Sequence, residues 1–462
     1  MSILISLLGA VPAHALDVLV SSTTSTQVYD VRTGRIDLFL HRRRVTERLT
    51  LRLDRVLPDE DEPGYEGPRM SFVFALRLDT DFGDSSREIS PSSDLWYIPG
   101  FDPYAVDLVT AELAVRDLFR GTTDVRAGRL VTFDPTGFSA LDGLELRVRI
   151  LRWAEVWAAA GVEVVSGERL SSGGFEVDGV VRVRRDGLDP EEHREVEEPP
   201  TRVVVAAGAS LIRLDWMTLD LAYRQGIVPG DESRTSYQRL AGDFTFTAGP
   251  VDGGAAAGGD IALGLVDEVS AEVGVRPIRW MRLSLGGRYD APVFDTDSIF
   301  VAFWSEPAVE GELDVELRPL DRLVFGATGY VRDVSVFADD SGDPSSLGYG
   351  GAIYTRLRYR WLMGEVRARL GEGFGGQRVG VVWRIVASIP RAHLGLDFRG
   401  TLLGLREDIP PHGNRVSFGY VVGARYQMSP EAAVVFELEH NGSHDLGHQL
   451  RFLALLDLGF WL

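Results

Sequence analysis

The 462-residue chain contains no cysteine and no lysine. Without cysteine, no disulfide framework can hold the fold. Without lysine, all 48 basic residues are arginine, a pattern that a GC-rich coding bias accounts for. Beyond the N-terminus there is no run of 18 apolar residues, which excludes spanning helices. Positive charge is also in deficit: 68 acidic residues leave a net charge of −20, which argues against a nucleic-acid partner, since phosphate binding needs clustered cations. What is abundant is glycine, at 51 residues, and aromatics, at 10%, a composition that suits a β-rich exported protein. The length would fit two or three soluble domains or one large β-domain.

Hydrophobic residues recur with period 2 along nearly every segment after residue 40, the pattern of strands with two different faces. Met70, Phe72, Phe74, Leu76 and Leu78 oppose Ser71, Ala75, Arg77 and Asp79; Val416, Phe418, Tyr420, Val422, Ala424 and Tyr426 oppose Ser417, Gly419, Gly423 and Arg425. In GELDVELRPLDRLVFGATGY, Gly311 to Tyr330, two such stretches are joined only by Arg-Pro-Leu-Asp, which predicts a hairpin. Several alternating stretches exceed the usual sandwich strand of about 5 to 6 residues and reach the roughly 9 to 11 that a tilted strand needs to cross a bilayer. The connections fall into two kinds. LIRLDWMTL, VRPIRWMRL, LRPLDRLVF, ASIPRAHLG and YQMSPEAAV are tight; LPDEDEPGYEGPR, DGLDPEEHREVEEPP, FADDSGDPSSLGYG and LREDIPPHGNR are long and mostly acidic. Short turns on one rim and long polar loops on the other predict a closed antiparallel transmembrane β-barrel in the bacterial outer membrane, with periplasmic turns and extracellular loops. An unpaired backbone group in hydrocarbon is costly enough that, without spanning helices, closure is required. Counting gives roughly 18 strands, within about 16 to 20. Asp260 to Val275 reads either as one long strand or as two short ones.

The C-terminal QLRFLALLDLGFWL places Leu450, Phe452, Ala454, Leu456, Leu458, Phe460 and Leu462 on one parity. It resembles the terminal strand by which outer-membrane barrel proteins are recognised by their assembly machinery, although it ends in Trp461-Leu462 rather than in Phe or Trp. DVRAGRLVTFDPTGFSALDGLELRVRI resembles the strand, Gly-Arg, loop, Gly, strand unit of several porin-type families, a unit whose loop can fold inward. The N-terminal Ile3 to Val11 run followed by Ala13-His14-Ala15 resembles a secretory signal cut before Leu16, though no Arg or Lys precedes its apolar core. The expected organisation is therefore a signal peptide over 1–15 and a single barrel over 16–462. There is no plug-sized segment of the kind a TonB-type transporter would need. Lipid, lipopolysaccharide and the assembly machinery are the expected partners.

Candidate pore-lining residues are the charges on the non-lipid parity. Glu310, Glu312, Asp314 and Glu316 form an acidic stripe; Arg147 and Arg149, Arg356, Arg358 and Arg360, and Arg367 and Arg369 form basic ones. Opposed stripes would set a transverse field and tune which small polar or charged solutes pass; mutual pairing that blocks the lumen is the alternative. His440, His444 and His448 with Asp445 could suggest metal or hydrolase chemistry, and His440-Asn441-Gly442-Ser443 holds the residue types of an outer-membrane lipase motif in a different order. A polar hairpin tip is the simpler reading, so no catalytic residue, metal or cofactor is predicted. Asp59, Glu60, Asp61 and Glu62, or Glu191, Glu192, Glu195, Glu197 and Glu198, could hold Ca²⁺, or be only solvated. Trp216, Trp280, Tyr289, Trp361 and Tyr426 suit interfacial girdles. The expected function is a porin-like channel for passive diffusion, not an enzyme. The alternatives are a structural or complex-forming barrel with a blocked lumen and, further off, a barrel-rim hydrolase.

Overall fold

The computed structural model describes residues 17–33, 38–57, 67–82, 104–164, 201–212, 214–230, 234–291, 307–334, 347–373, 376–407, 413–443 and 447–461. These form 22 strands. The first seven are β1 Asp17–Thr33, β2 Leu38–Asp54, β3 Arg69–Asp81, β4 Tyr104–Asp117, β5 Thr123–Asp134, β6 Gly137–Leu151 and β7 Ala154–Glu163. Then come β8 Val203–Leu211, β9 Met217–Val228, β10 Arg234–Ala248, β11 Val251–Asp260, β12 Leu265–Ile278, β13 Met281–Asp290, β14 Ala308–Leu320 and β15 Leu323–Val334. The last are β16 Leu347–Tyr359, β17 Leu362–Gly373, β18 Gly376–Ile389, β19 Leu394–Glu407, β20 Gly413–Ser429, β21 Ala432–Ser443 and β22 Gly447–Trp461. Each pairs antiparallel with the next, and β22 returns to β1 from Leu19 opposite Trp461 to Tyr29 opposite Arg451. The wall is thus a closed barrel without a free outer edge strand, as the alternation required.

Twenty-two strands exceed the expected count of roughly 18. The extra strands come from segments where alternation is faint. The middle of β1 is Ser and Thr on both faces, and β11 is VDGGAAAGGD, almost all glycine and alanine. Asp260 to Val275 resolves into the end of β11, a four-residue turn and most of β12. The Gly311 to Tyr330 hairpin forms as expected, with Leu320 opposite Leu323.

The exposed large apolar side chains share one parity. Leu283 and Leu285, Val309 and Leu313, and Phe436 and Leu438 point outward, with hydroxyl or charged neighbours between them pointing in. Such an exterior belongs in hydrocarbon, where an outward charge at mid-depth costs up to about 2–4 kcal/mol. No helix among the described residues is long and apolar enough to cross a membrane, which says nothing of crossing by strands. Exposed Phe119, Trp153, Trp216, Trp280 and Trp361 sit in the tight turns, and Tyr426 stands just inside that rim, forming an interfacial girdle. Tyr289 is half-buried at the other rim. One loop expectation is overturned. Asp17 lies opposite Asp54, so the connection from β2 to β3, which carries LPDEDEPGYEGPR, leaves from the rim of the tight turns and not from that of the other long loops.

The wall has one crease. β4 pairs with β5 only from Ala111 opposite Arg129 to Val115 opposite Val125, whereas β5 and β6 stay paired to their tip at Asp134 and Gly137. At this level Gly128, Gly143 and Gly161 stand in one row across β5, β6 and β7. Gly128 has φ +114°, and a Cβ there would lie 2.0 Å from the Ala111 carbonyl oxygen; at Gly143 it would lie 2.1 Å from that of Ala160. Beyond the row the hairpin tip folds inward. The next residue, Arg129, repairs the seam: it donates to the Leu108 carbonyl oxygen at 2.8 Å and pairs with Asp142 at 2.7 Å. The Gly-Arg element noted in the sequence is therefore a fold line and its fastening. Replacing Gly128 with Ala should destabilise the folded barrel by more than about 1 kcal/mol, because an L side chain is strained at this φ and meets backbone. Urea unfolding in detergent, followed by the change in electrophoretic mobility, measures this.

Candidate functional site: the charged inner wall and its hairpin

Following opposed pairs round the barrel assigns every strand an inner face. On it the acidic stripe of β14 lies beside Arg282 and Ser284 of β13 and Thr328 and Tyr330 of β15. Asp314 accepts a hydrogen bond from Thr328 Oγ1 at 2.8 Å, and Glu316 pairs with Arg318 at 2.5 Å. Glu310 and Glu312 have no ion pair among the described residues, and Glu312 is exposed to the lumen. A recess of about 940 Å³ opens beside them, lined by Asp243, Asp252, Glu272, Arg282, Glu310, Glu312 and Asp314. It is deep because β11 and β12 present Gly254, Ala256 and Ser270 there. Arg282 is largely spoken for, at 2.6 Å from Asp252 and 3.4 Å from Glu272.

The basic residues gather two to four strands further on. Arg367 and Arg369 on β17 neighbour Arg378 and Arg384 on β18. Arg356 pairs with Glu365 at 3.0 Å and Arg384 with Asp397 at 2.7 Å, while the Arg367 guanidinium lies 5.0 Å from the centre of the Tyr354 ring. Arg369 and Arg378 have no ion pair among the described residues. A second recess, of about 1010 Å³, is lined by Arg367, Arg369, Arg378, Arg384, Tyr330 and Glu312. Glu312 thus borders both recesses. The acidic and basic stripes are neighbours, three strand spacings or about 14 Å apart, and do not face each other across the lumen. Of the remaining candidates, Arg358 is exposed near the tight-turn rim and Arg360 lies in the turn itself.

Arg147 and Arg149 belong to a different assembly, the base of the inward hairpin. Glu145 is almost fully buried; Arg126 reaches both its oxygens at 3.2 Å and Arg147 reaches it at 2.6 Å. Arg126 also makes a two-pronged contact with Glu112 at 2.8 and 2.7 Å, and Arg149 donates to the Gly121 carbonyl. These charges hold the root of the hairpin. Its tip packs Leu141, with the equally buried Leu130 opposite it, toward the inner surface of Trp157, Ala159, Val204, Ala206 and Ala222. Arg224 on β9 then grips it: Nη2 lies 2.8 Å from Asp134 Oδ2 and donates to the Gly137 carbonyl at 3.0 Å, and Nη1 donates to that of Phe138 at 2.9 Å. The other face of the tip exposes Phe133 and Phe138, whose ring centres are 5.1 Å apart. Arg224 carries no sequence signal, since in LAYRQGIV it reads as one more inward charge.

The histidines face the other way. His440 lies on the outward parity of β21 with Phe436 and Leu438; its Nε2 is 3.2 Å from His448 Nδ1, and its Nδ1 is 3.2 Å from the Tyr420 hydroxyl. Ser443 lies on the inward parity, opposite Ser417. His440 and Ser443 are on opposite faces of the wall and cannot act as base and nucleophile, which removes the lipase-like reading of that motif. His444 and Asp445, both acidic clusters proposed for Ca²⁺, and the signal-like residues 1–15 lie outside the described residues. Among the described residues no group of three or more His, Asp or Glu is arranged to hold a metal.

No family model matches the chain, and no curated protein matches it. Among solved structures it is similar to Acinetobacter baumannii OccAB4, with 7% identity over 97% of this chain and 99% of that one and a TM-score of 0.44. It is also similar to Pseudomonas aeruginosa OpdK solved with vanillate, with 8% identity over 97% and 99% and a TM-score of 0.44. Pseudomonas aeruginosa OccK9 (OpdG) gives 9% identity, the same coverage and a TM-score of 0.44. At these values the likeness carries no functional argument; the barrel's own walls do.

Proposed function

We propose that the chain is an outer-membrane channel through which small polar or charged solutes diffuse passively, as a single barrel domain following a cleaved signal peptide. The observation that carries this reading is an apolar exterior around a lumen lined with charges that have no ion pair among the described residues, Glu310 and Glu312 on β14 and, on the same side of the wall, Arg369 and Arg378 on β17 and β18. A merely structural barrel gains nothing from desolvating such groups without partners, whereas a water-filled path uses them to attract and sort ions. Barrels of this strand number enclose a lumen wide enough to hold a plug; among the described residues only the tip of the β5–β6 hairpin enters it. The hairpin narrows the lumen on the β7–β9 side, and solutes pass along the two recesses on the β11–β18 side.

The test is conductance. The chain from Leu16, refolded in detergent and inserted into a planar bilayer, should give steady, ion-selective steps. A folded, inserted barrel that gives no steps would overturn the channel reading in favour of a blocked scaffold.

A further inference from the structure

Midway along β1 the outward face stops being apolar. Val20 and Val28 bracket Ser22, Thr24 and Thr26, and the outward residue opposite Thr24 on β2 is Glu47, between Val45 and Leu49. Ser22 Oγ and Thr24 Oγ1 each donate to one oxygen of the Glu47 carboxyl group. No cation meets it. Among the described residues the other outward carboxyl groups are differently placed: Asp142 is held by Arg129, and Asp117, Asp333 and Glu372 stand last or next to last in their strands. Among the described residues, Glu47 is the one carboxyl group that faces outward from the middle of a strand without a counter-charge. On the other side of β1, Ala454 of β22 lies opposite Thr26, so the spot is shallow as well as polar, among Phe452, Leu456 and Leu458.

We infer that this patch on β22, β1 and β2 is the contact face for a second copy of the chain, in a twofold dimer within the membrane. Acyl chains offer no hydrogen bonds, and ionisable groups at membrane depth turn toward protein or water. Hydroxyl groups both donate and accept and carboxyl oxygens accept, so this set is complementary to itself, as a twofold contact demands. Small side chains let two walls approach closely, as they do between membrane helices. The inference rests on the membrane reading above.

The wild-type chain, reconstituted in lipid, should float with vesicles and give twice the chain mass by native mass spectrometry from detergent. Glu47→Leu with Thr24→Leu, both apolar exchanges, should give the single-chain mass while keeping folded electrophoretic mobility and single-channel conductance. Ala368→Leu on the outward face of β17 should leave the dimer intact. As the chain has no cysteine, Ser22→Cys supplies the sole thiol and should form a disulfide-linked dimer in the bilayer under mild oxidation. A wild-type protein that floats but is monomeric, alone or with a different protein on this face, overturns the pairing; so does a dimer that survives the double exchange. A protein that does not float overturns the membrane reading itself.

Discussion

Arg224→Ala should turn a quiet channel into a wider and noisier one without unfolding the barrel. Arg224 is buried, and among the described residues it is the one cation paired with Asp134, whose other oxygen accepts from Thr136; it also donates to two carbonyl groups of the hairpin tip, across 86 to 90 residues of sequence. Removing one partner of a buried ion pair costs about 3–5 kcal/mol, because the other charge is left buried without compensation. At about 1.4 kcal/mol per tenfold, docking of the tip should weaken more than a hundredfold, against only the contacts of Leu130, Leu141 and their apolar neighbours. The rest of the wall keeps its pairing, so the loss is local. Single-channel recording should show larger steps with rapid fluctuation, and protease added from the loop side should cut the tip. Arg224→Lys should be intermediate, since an ammonium is a point charge that cannot serve three acceptors as a planar guanidinium does. Unchanged conductance and protease resistance in Arg224→Ala would show that the hairpin does not govern the aperture.

Glu310→Gln with Glu312→Gln should shift the reversal potential under a salt gradient toward anions, and Arg369→Gln with Arg378→Gln should shift it toward cations. A unit charge 5 Å from a passing ion in water contributes about 0.8 kcal/mol, or roughly a fourfold change in local ion concentration. The two factors multiply, so neutralising both carboxylates should lower the local cation concentration by up to about sixteenfold in dilute salt, and the cation-to-anion permeability ratio should fall with it. The effect should fade toward molar salt, as the screening length falls from about 10 Å to about 3 Å. Because the four residues lack ion-pair partners among the described residues, neither exchange strands a buried opposite charge, and stability should stay within about 0.5 kcal/mol of wild type. Opposite shifts of the two variants are the required result; a shift of the same sign in both would mean that another part of the chain sets selectivity.

The two-faced strand is the level at which the sequence speaks most plainly. In β14, β16, β20 and β22 the apolar parity read from the chain is the outward parity of the barrel, because a membrane strand has no other way to reconcile lipid and water. The count falls short where neither face is demanding: small residues over the recess in β11, and hydroxyls on both faces of β1. The charge stripes were legible as stripes, but whether they would be opposed or adjacent depends on strand order, which no local pattern encodes. The inward hairpin had a trace, the Gly128-Arg129 pair. Its latch had none, since Arg224 meets Asp134 only after five strands have been laid side by side.

The surface that receives the hairpin tip is made by β7, β8 and β9, all later in the chain than the tip itself. The tip therefore has nowhere to dock until its successors have paired, and contacts separated this far in sequence form late because loop closure must come first. The nascent sheet passes through a stage in which the hairpin is made but its tip is not yet latched. Arg224, at the far end of that surface on β9, is the residue that ends that interval.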